Sequence, residues 1–259
     1  MARRHVLLGG AVVMAVAASL IAWSPWASRS GEGGNGFAVA AARARTLAAH
    51  ASPAAVVPAG PVSGWIATLK SPVGYSASPG GPVIATLPAL DPFGAPNTLA
   101  VIGRPDPSGW AQVELPIRPN GSTGWVSTAG VTLTWTSYEV QVSLAARTVT
   151  VLQAGQPVLT LPAAIGAPRT PTPPGRTYLW ELIRPDNPRG AYGPYILGLA
   201  MFSDTYSVFN GGDAQIGIHG NDDLSSVGRP VSHGCIRLAN DAITNLAGML
   251  PLGTPVTIS

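Results

Sequence analysis

The sequence predicts a mainly β protein, in which a mixed β-sandwich with one or two short helices follows a small β-barrel. Apolar and polar residues alternate along Tyr138–Leu144, which is the period of a strand with one buried face. Short runs rich in valine, isoleucine and aromatic residues, bounded by glycine and proline, recur from residue 62 to residue 259. Only the stretch after Asn240 has a clear helical pattern.

Residues 1–29 are typical of an export signal or a membrane anchor. Basic residues at the start precede an uncharged stretch from Val6 to Ala27, which at about twenty residues is long enough to span a bilayer. A small-residue cleavage site at 38–40 lies rather far beyond this stretch, which favours an uncleaved anchor over a cleaved signal. In either case we expect the rest of the chain to lie outside the cytoplasm, in the cell envelope.

We predict that residues 30–61 form a linker, because alanine predominates without an apolar stripe and Pro53, Pro58 and Pro61 would break a helix.

The excess of basic over acidic residues is confined to the first 50 residues of the chain. Beyond residue 50 there are 10 basic and 11 acidic residues, so the folded part is nearly neutral and carries no nucleic-acid footprint.

Residues 62–134 predict a domain of short strands. The Asn120-Gly121 pair is a strong turn signal before the last of them. The candidate strands are Val83–Leu87, Leu99–Ile102, Trp110–Val113 and Gly124–Val126. The spacing of Trp110 and Trp125 around this turn resembles bacterial SH3-like domains of envelope proteins, which implies a small barrel that binds wall polymer or positions its neighbour. The alternative is that both tryptophans are simply core residues.

Residues 137–259 predict the larger β domain. Asn240 is expected to cap its one helix, in which Ile243, Leu246 and Leu250 share a face before Pro251 ends it. The further candidate strands lie at 149–151, 158–161, 178–183, 196–202, 206–209, 214–219 and 255–258.

Cys235 is the only cysteine in the chain, so it has no intramolecular disulfide partner. His219 ends a predicted strand 16 residues earlier, and the loop between them can return the chain to the same end of the sheet. An imidazole that accepts the thiol proton makes a better nucleophile, and Gly234 lets a substrate approach the backbone closely. Arg237 offers a fork for a carboxylate. Together these residues indicate acyl transfer through a thioester.

The segments Ile218-His219-Gly220 and Ser232-His233-Gly234-Cys235-Ile236-Arg237 resemble the signature of L,D-transpeptidases of the YkuD type, and the similarity extends over residues 138–259. The resemblance implies a YkuD-like sandwich and cross-linking of peptidoglycan stem peptides, with no cofactor and with acylation by β-lactams such as carbapenems as a possibility. It implies that Cys235 is the nucleophile, that His219 is the general base and that the Gly220 carbonyl orients the imidazole. Ser232, His233, Gly234 and Arg237 would build the oxyanion and substrate sites. Other family members have lysine at the position of His233.

Several alternatives remain open at this stage. A zinc site of His219, His233 and Cys235 has a poor ligand spacing, because two of its ligands are two residues apart. Papain-like wall hydrolases carry their cysteine before their histidine, and the order here is the reverse. A sortase-like enzyme, an L,D-carboxypeptidase in which water resolves the thioester, and a non-catalytic wall-binding protein are the other candidates. Tyr192 and Tyr195 are either a lid over the site or core residues.

Overall fold

The computed structural model describes residues 63–259, so the predicted N-terminal segment and the whole of the predicted linker lie outside the described residues. Strands make up most of the regular structure between these limits, together with one α-helix, which confirms the mainly β class. In residues 63–259, we find no helix with the length and apolar character needed to cross a membrane.

Seven strands form the first part of the described chain. They are β1 (Gly64–Leu69), β2 (Val73–Ser76), β3 (Val83–Leu87), β4 (Thr98–Ala100), β5 (Trp110–Glu114), β6 (Thr123–Ser127) and β7 (Val131–Thr136). They build a three-stranded sheet in the order β4-β1-β7 and a four-stranded sheet in the order β3-β2-β6-β5. A bridge between Val101 and Val113 joins the two sheets, and the predicted turn at Asn120-Gly121 lies in the connection between β5 and β6.

The buried side chains that these seven strands contribute to their core are aliphatic. Ala111, Val113 and Val126 are completely buried, whereas Trp110 and Trp125 are half-buried and lie outside the core cluster. The interpretation of the two tryptophans as core residues is therefore wrong. The assignment of residues 62–134 to the SH3-like class stays a prediction.

Ten strands form the second part of the chain. They are β8 (Tyr138–Ser143), β9 (Thr148–Gln153), β10 (Gln156–Pro162), β11 (Ile165–Gly166), β12 (Gly175–Ile183), β13 (Ile196–Phe202), β14 (Gln215–His219), β15 (Pro230–Ser232), β16 (Ile236–Arg237) and β17 (Pro255–Ile258). Eight of them form one sheet in the order β10-β9-β8-β17-β12-β13-β14-β16, and β11 pairs with β15. The sheet is mixed, because β17 with β8 and β14 with β16 are parallel pairs whereas the other neighbours are antiparallel.

The helix α1 (Asn240–Met249) packs Ile243 and Leu246 into the core of this sheet, as the apolar spacing predicts. The predicted Asn240 cap is wrong. Ala239 occupies the N-cap position without a side-chain hydrogen bond, and Asn240 Oδ1 instead accepts a hydrogen bond of 2.9 Å from the Asn221 amide. The asparagine is used to hold the loop after β14 rather than to satisfy the helix terminus.

The predicted strand at Tyr206–Phe209 is also wrong, because this stretch is an irregular loop between β13 and β14. Its backbone is held by side chains from elsewhere instead of by a neighbouring strand. Arg118 donates hydrogen bonds to the carbonyl oxygens of Ser203 (2.9 Å), Tyr206 (3.0 Å) and Asp213 (2.9 Å). We call residues 203–214 the flap loop.

Candidate active site

A cavity of about 580 Å³ brings the predicted nucleophile and base together, because both Cys235 and His219 line it. Its other walls come from the end of β12, the start of β13 and most of β14, from Tyr192, from the flap loop, and from Pro92 and Phe93 in the loop between β3 and β4. His233, which lies two residues before the cysteine, does not line this cavity.

The alternation of strand β14 places His219 on the cavity side. Ile216 and Ile218 are buried in the core, so Gly217 and His219 face the other way. The imidazole Nδ1 lies 2.6 Å from the Gly220 carbonyl oxygen, which can only accept a hydrogen bond. Nδ1 therefore carries the proton, and Nε2 is left with a free lone pair that can accept the proton of a thiol.

Gly220 is required at its position because the chain is too crowded for a side chain. A Cβ atom there would lie 2.3 Å from Asn240 Oδ1 and 2.8 Å from the Gly193 Cα. A larger residue would displace the carbonyl oxygen that fixes the His219 tautomer. The sequence interpretation of Gly220 as the group that orients the imidazole is consistent with this geometry.

Cys235 lies in a short loop between β15 and β16 that is braced by hydroxyl groups. Ser232 Oγ donates a hydrogen bond of 2.5 Å to the Cys235 carbonyl and accepts one of 3.1 Å from the Gly234 amide. Thr172 Oγ1 donates a hydrogen bond of 2.7 Å to the Gly234 carbonyl. These bonds hold the backbone on both sides of the thiol, so Ser232 supports the loop and does not itself line the cavity.

The backbone amides near the thiol differ in their availability. The Gly234 amide is engaged by Ser232, whereas no hydrogen bond of the Cys235 amide is found within residues 63–259. The Cys235 amide is therefore the one donor of this pair that is free to stabilise negative charge on a substrate oxygen.

Burial keeps the catalytic pair uncharged. Burial lowers the pKa of His219 to about 4, with the Gly220 hydrogen bond opposing this shift and the nearby Arg237 charge adding to it. Burial also raises the pKa of Cys235, although the Gly217 backbone and the Arg237 charge partly offset that rise. In the free protein the pair is thus a thiol beside a neutral imidazole, and the thiol points to the Gln215 carbonyl oxygen at 4.0 Å.

His233 and Arg237 lie around the pair rather than in the cavity. His233 is exposed, and its ring centroid is 5.2 Å from that of Phe209 in the flap loop. Arg237 is next to His219 in the parallel pairing of β14 and β16, and its buried Nε has no hydrogen-bond partner in the described part of the chain. Within residues 63–259 no cluster of three or more metal-ligating side chains is present.

Of the two tyrosines that the sequence offers as a lid or as core, one lies at the site, and two further contributors, Thr172 and Glu181, are not predicted from the sequence. Tyr192 packs the edge of its ring against His219, with centroids 5.0 Å apart, and its hydroxyl accepts a hydrogen bond of 3.0 Å from Asn210 in the flap loop. Tyr192 is therefore a site residue, whereas Tyr195 packs against the core. Thr172 braces the nucleophile loop, and Glu181 lines the cavity. The one signal for Glu181 is an acidic residue within the otherwise apolar run Tyr178–Ile183.

Residues 137–258 match the family model of YkuD, described as the L,D-transpeptidase catalytic domain. The putative L,D-transpeptidase YkuD of Bacillus subtilis is 36% identical over 122 residues, which cover 47% of this chain and 66% of that protein. The putative L,D-transpeptidase YqjB of the same organism is 41% identical over 76 residues, which cover 29% of this chain and 37% of that protein. The chain thus spans a little less than two thirds of the length of the first relative.

Solved structures of similar proteins include a cysteine-to-serine mutant of the Enterococcus faecium L,D-transpeptidase. It is 26% identical, with a TM-score of 0.36, over 48% of this chain and 50% of that chain. The complex of the L,D-transpeptidase LdtMt1 with imipenem is 18% identical, with a TM-score of 0.42, over 63% of this chain and 91% of that chain.

Proposed function

Because residues 137–258 match the L,D-transpeptidase catalytic domain of the YkuD family, we propose that this protein is a cysteine-dependent L,D-transpeptidase that cross-links peptidoglycan stem peptides. The observation that carries the proposal is the single cavity in which Cys235 meets a histidine whose proton is fixed on Nδ1 by the Gly220 carbonyl. A neutral imidazole with a free Nε2 is the group that a buried thiol needs as its base.

The first half of the reaction forms a thioester. Cys235 Sγ attacks the carbonyl carbon of the third stem residue while its proton passes to His219 Nε2, and the Cys235 amide stabilises the negative oxygen. The tetrahedral intermediate expels the amino group of the terminal D-alanine, which takes the proton from the imidazolium. No Sγ–His219 hydrogen bond is present in the described residues, and contacts of this kind commonly tighten only when substrate binds.

The second half transfers the acyl group. The side-chain amine of a neighbouring stem attacks the thioester carbon and releases a proton to His219. The C–S bond breaks as the amide forms, and the proton returns to the Cys235 thiolate. Burial raises the pKa of Cys235, which favours the reprotonated thiol at the end of each cycle.

The proposed location of this chemistry is the cell envelope, with the N-terminal segment as the membrane attachment. The apolar stretch within residues 1–29 and the linker that follows it support this proposal, because stem peptides lie outside the cytoplasmic membrane. A carbapenem is expected to acylate the same thiol. Its strained amide presents a carbonyl carbon in place of the stem carbonyl.

Product analysis tests the proposed function and separates it from its closest alternative. The protein is incubated with a tetrapeptide stem, and free D-alanine, tripeptide and cross-linked dimer are quantified by liquid chromatography and mass spectrometry. We expect D-alanine together with dimer from the wild type, and neither from Cys235→Ala. Tripeptide without dimer would instead show an L,D-carboxypeptidase.

Parallel assays with a sorting-signal peptide and with wall fragments address the remaining alternatives. A sortase-like enzyme would cleave a sorting-signal peptide and leave the tetrapeptide intact. A wall-binding protein without catalysis would leave both intact and would bind wall fragments equally well after Cys235→Ala. Release of D-alanine by Cys235→Ala would contradict the assigned nucleophile.

A further inference from the structure

Glu181 faces the catalytic cavity because strand β12 contains a bulge. Leu179 pairs with Leu199 and Glu181 pairs with Gly198, so Trp180 is an extra residue on β12. The extra residue interrupts the alternation of the strand, and Trp180 and Glu181 both leave the core that holds Leu179. Without the bulge, the side chain at position 181 would return to the apolar side of the sheet.

The Glu181 carboxylate has no ion-pair partner within residues 63–259, and its one polar neighbour is the Gln215 side chain. The residue is 1% exposed, and neither of its oxygens makes a hydrogen bond within the described part of the chain. Burial raises the pKa of Glu181 to about 7. The nearby Gln215 amide offsets part of the shift, and the charges of Asp91 and Asp213 add to it. An unpartnered acid under these conditions destabilises the fold, so its presence in a cavity wall points to a ligand.

The charge of the residues that line the cavity indicates whether that ligand is a cation or an anion. Glu181 and Asp213 line it, and none of its described lining residues is lysine or arginine. Burial keeps His219 neutral, so the charged side chains that line the cavity are acidic, whereas the Arg237 cation lies beside His219 and outside the lining. A carboxylate-bearing group is repelled from this end of the cavity, whereas a cation is attracted.

Gln215 connects this acidic end with the nucleophile. Its carbonyl oxygen lies 4.0 Å from Cys235 Sγ, and its side-chain Nε2 lies near the Glu181 carboxylate. A Cβ atom on Gly198 would be 2.9 Å from both Gln215 Nε2 and Glu181 Oε2. Glycine at 198 and at its strand partner Gly217 leaves the cavity floor between Glu181 and Cys235 without side chains.

We propose that Glu181 is the central group of an anionic subsite that binds a primary ammonium group of the acceptor peptide, in the same cavity as the thioester at Cys235. The proposal rests on the proposed transpeptidase function, because that reaction requires an amine-bearing second substrate. Glu181 supplies the charged hydrogen bonds, and Asp213 strengthens the negative potential at the edge of the subsite.

Binding to a catalytically silent protein tests this subsite without turnover. Two stem peptides with blocked N-termini are titrated into the full chain carrying Cys235→Ala, and heat is measured by calorimetry. One peptide has a free side-chain amine, and in the other this amine is acetylated. We expect the free amine to bind at least about tenfold more tightly, which is the effect of one charge-assisted hydrogen bond.

The variant Glu181→Gln, added to Cys235→Ala, keeps the shape of the side chain and removes its charge. It should abolish the preference for the free amine while leaving the affinity for the acetylated peptide unchanged. Glu139→Gln is the matched control, because Glu139 lies on β8 and does not line the cavity. It should retain the preference.

An unchanged preference in the Glu181→Gln protein would overturn the subsite, as would equal affinities of the two peptides for the Cys235→Ala protein. Failure of the proposed function has a different signature. In that case the wild type forms no acyl adduct with a tetrapeptide, whatever the binding data show. An adduct together with a preference that does not depend on Glu181 would refute the subsite alone.

Discussion

His219 and Cys235 are both held in their neutral forms, which determines how the proposed reaction would begin. Burial lowers the pKa of the imidazole and raises the pKa of the thiol, so the two shifts oppose formation of a thiolate and imidazolium pair in the free protein. The nucleophile is therefore produced at the moment of attack, when the thiol proton moves to Nε2. Arg237 lowers the pKa of both groups through its charge without changing this outcome.

The rate of acylation should consequently depend on pH in an unusual range for a histidine. His219 accepts a proton only while it is neutral, and its neutral fraction falls as the pH drops through about 4. We expect the second-order rate of acylation by a carbapenem, followed by stopped-flow absorbance, to stay nearly constant from about pH 7 to about pH 5 and to decline below that. A decline centred near 6.5, the ordinary value for histidine, would contradict the neutral buried imidazole.

Glu181 should make the protein less stable as the pH rises. Its folded-state pKa of about 7 lies above the ordinary value of 4.5, so its contribution to folding is complete below pH 4.5 and is lost as the pH rises through 7. Glu181→Gln removes this loss. We expect its free energy of unfolding in urea to match the wild type near pH 4.5 and to exceed it by about 1–3 kcal/mol at pH 8. Equal stabilities at pH 8, with Glu139→Gln as control, would contradict a buried unpartnered carboxylate.

Among single residues, the sequence predicts those whose roles depend on the local geometry of the chain. Cys235 and His219 lie within short motifs whose spacing suggests a nucleophile and a base, and the role of Gly220 is implied by the family resemblance of the same motifs. Glu181 cannot be inferred in this way, because its direction depends on a bulge that exists only when β12 pairs with β13. His233 was expected near the oxyanion site, but its contacts with Phe209 and Tyr206 depend on where the flap loop folds.

The flap loop connects the N-terminal strands to the catalytic histidine. Arg118 and Asn120 lie between β5 and β6. Arg118 binds backbone carbonyls of the loop, and the Asn120 side chain exchanges hydrogen bonds of 2.7 and 2.8 Å with Phe202, the last residue of β13 before the loop. Farther along the loop, Asn210 holds the hydroxyl of Tyr192, whose ring packs on His219. Residues between β5 and β6 thus help to position a loop that lines the cavity with Cys235 and His219.

Arg118→Ala should release this loop. It removes three hydrogen bonds to backbone carbonyls, and we expect amide hydrogen exchange across residues 203–214 to accelerate by at least about tenfold. Exchange in β8 and β9 should not change. Arg118→Lys retains the charge but lacks the planar fork, so it should protect the loop only partly. Unchanged exchange in the alanine variant would show that Arg118 does not hold the loop.

Strand positions were predictable wherever one face of a strand is buried, and less so elsewhere. The alternation in β8 and the apolar runs of β13 and β17 gave bounds that the structure reproduces to within a residue. Tyr206–Phe209 has the aromatic composition of a strand, but Arg118 binds the Tyr206 carbonyl and Phe209 pairs with Gly212 and Asp213 of its own loop, so the stretch does not join a neighbouring strand. Asparagine is a common N-cap residue, but the side-chain oxygen of Asn240 accepts a hydrogen bond from the Asn221 amide of a nearby loop instead.

At the scale of the whole molecule, the two groups of strands share a hydrophobic cluster. Tyr178, Trp180 and Phe202 leave the core of the eight-stranded sheet and pack with residues of β1, β4 and β5. The indole Nε1 of Trp180 donates a hydrogen bond of 3.0 Å to Asn97. The described residues 63–259 accordingly lie in one compact unit, in which the first seven strands contribute to the core and the loop between β3 and β4 contributes to the cavity wall.

Removal of the first seven strands should therefore damage the catalytic part. A protein of residues 137–259 would expose these aromatic side chains and lose the hydrogen bonds from Arg118 to the flap loop. We expect it to lack a cooperative thermal transition and to react with a carbapenem much more slowly than residues 57–259, with circular dichroism and acylation as the two measurements. A cooperative transition with an undiminished rate would show that residues 137–259 are independent of the preceding strands.

The central claim is that Cys235 forms an acyl-enzyme with a stem peptide, and intact-protein mass spectrometry tests it most directly. Residues 57–259 are incubated with a tetrapeptide stem or a carbapenem, beside Cys235→Ala and His219→Gln. We predict an adduct of acyl mass that maps to the Cys235 peptide, is absent from the alanine variant and forms far more slowly without His219. An adduct that persists in Cys235→Ala, or no adduct on a folded wild-type protein, would contradict the mechanism.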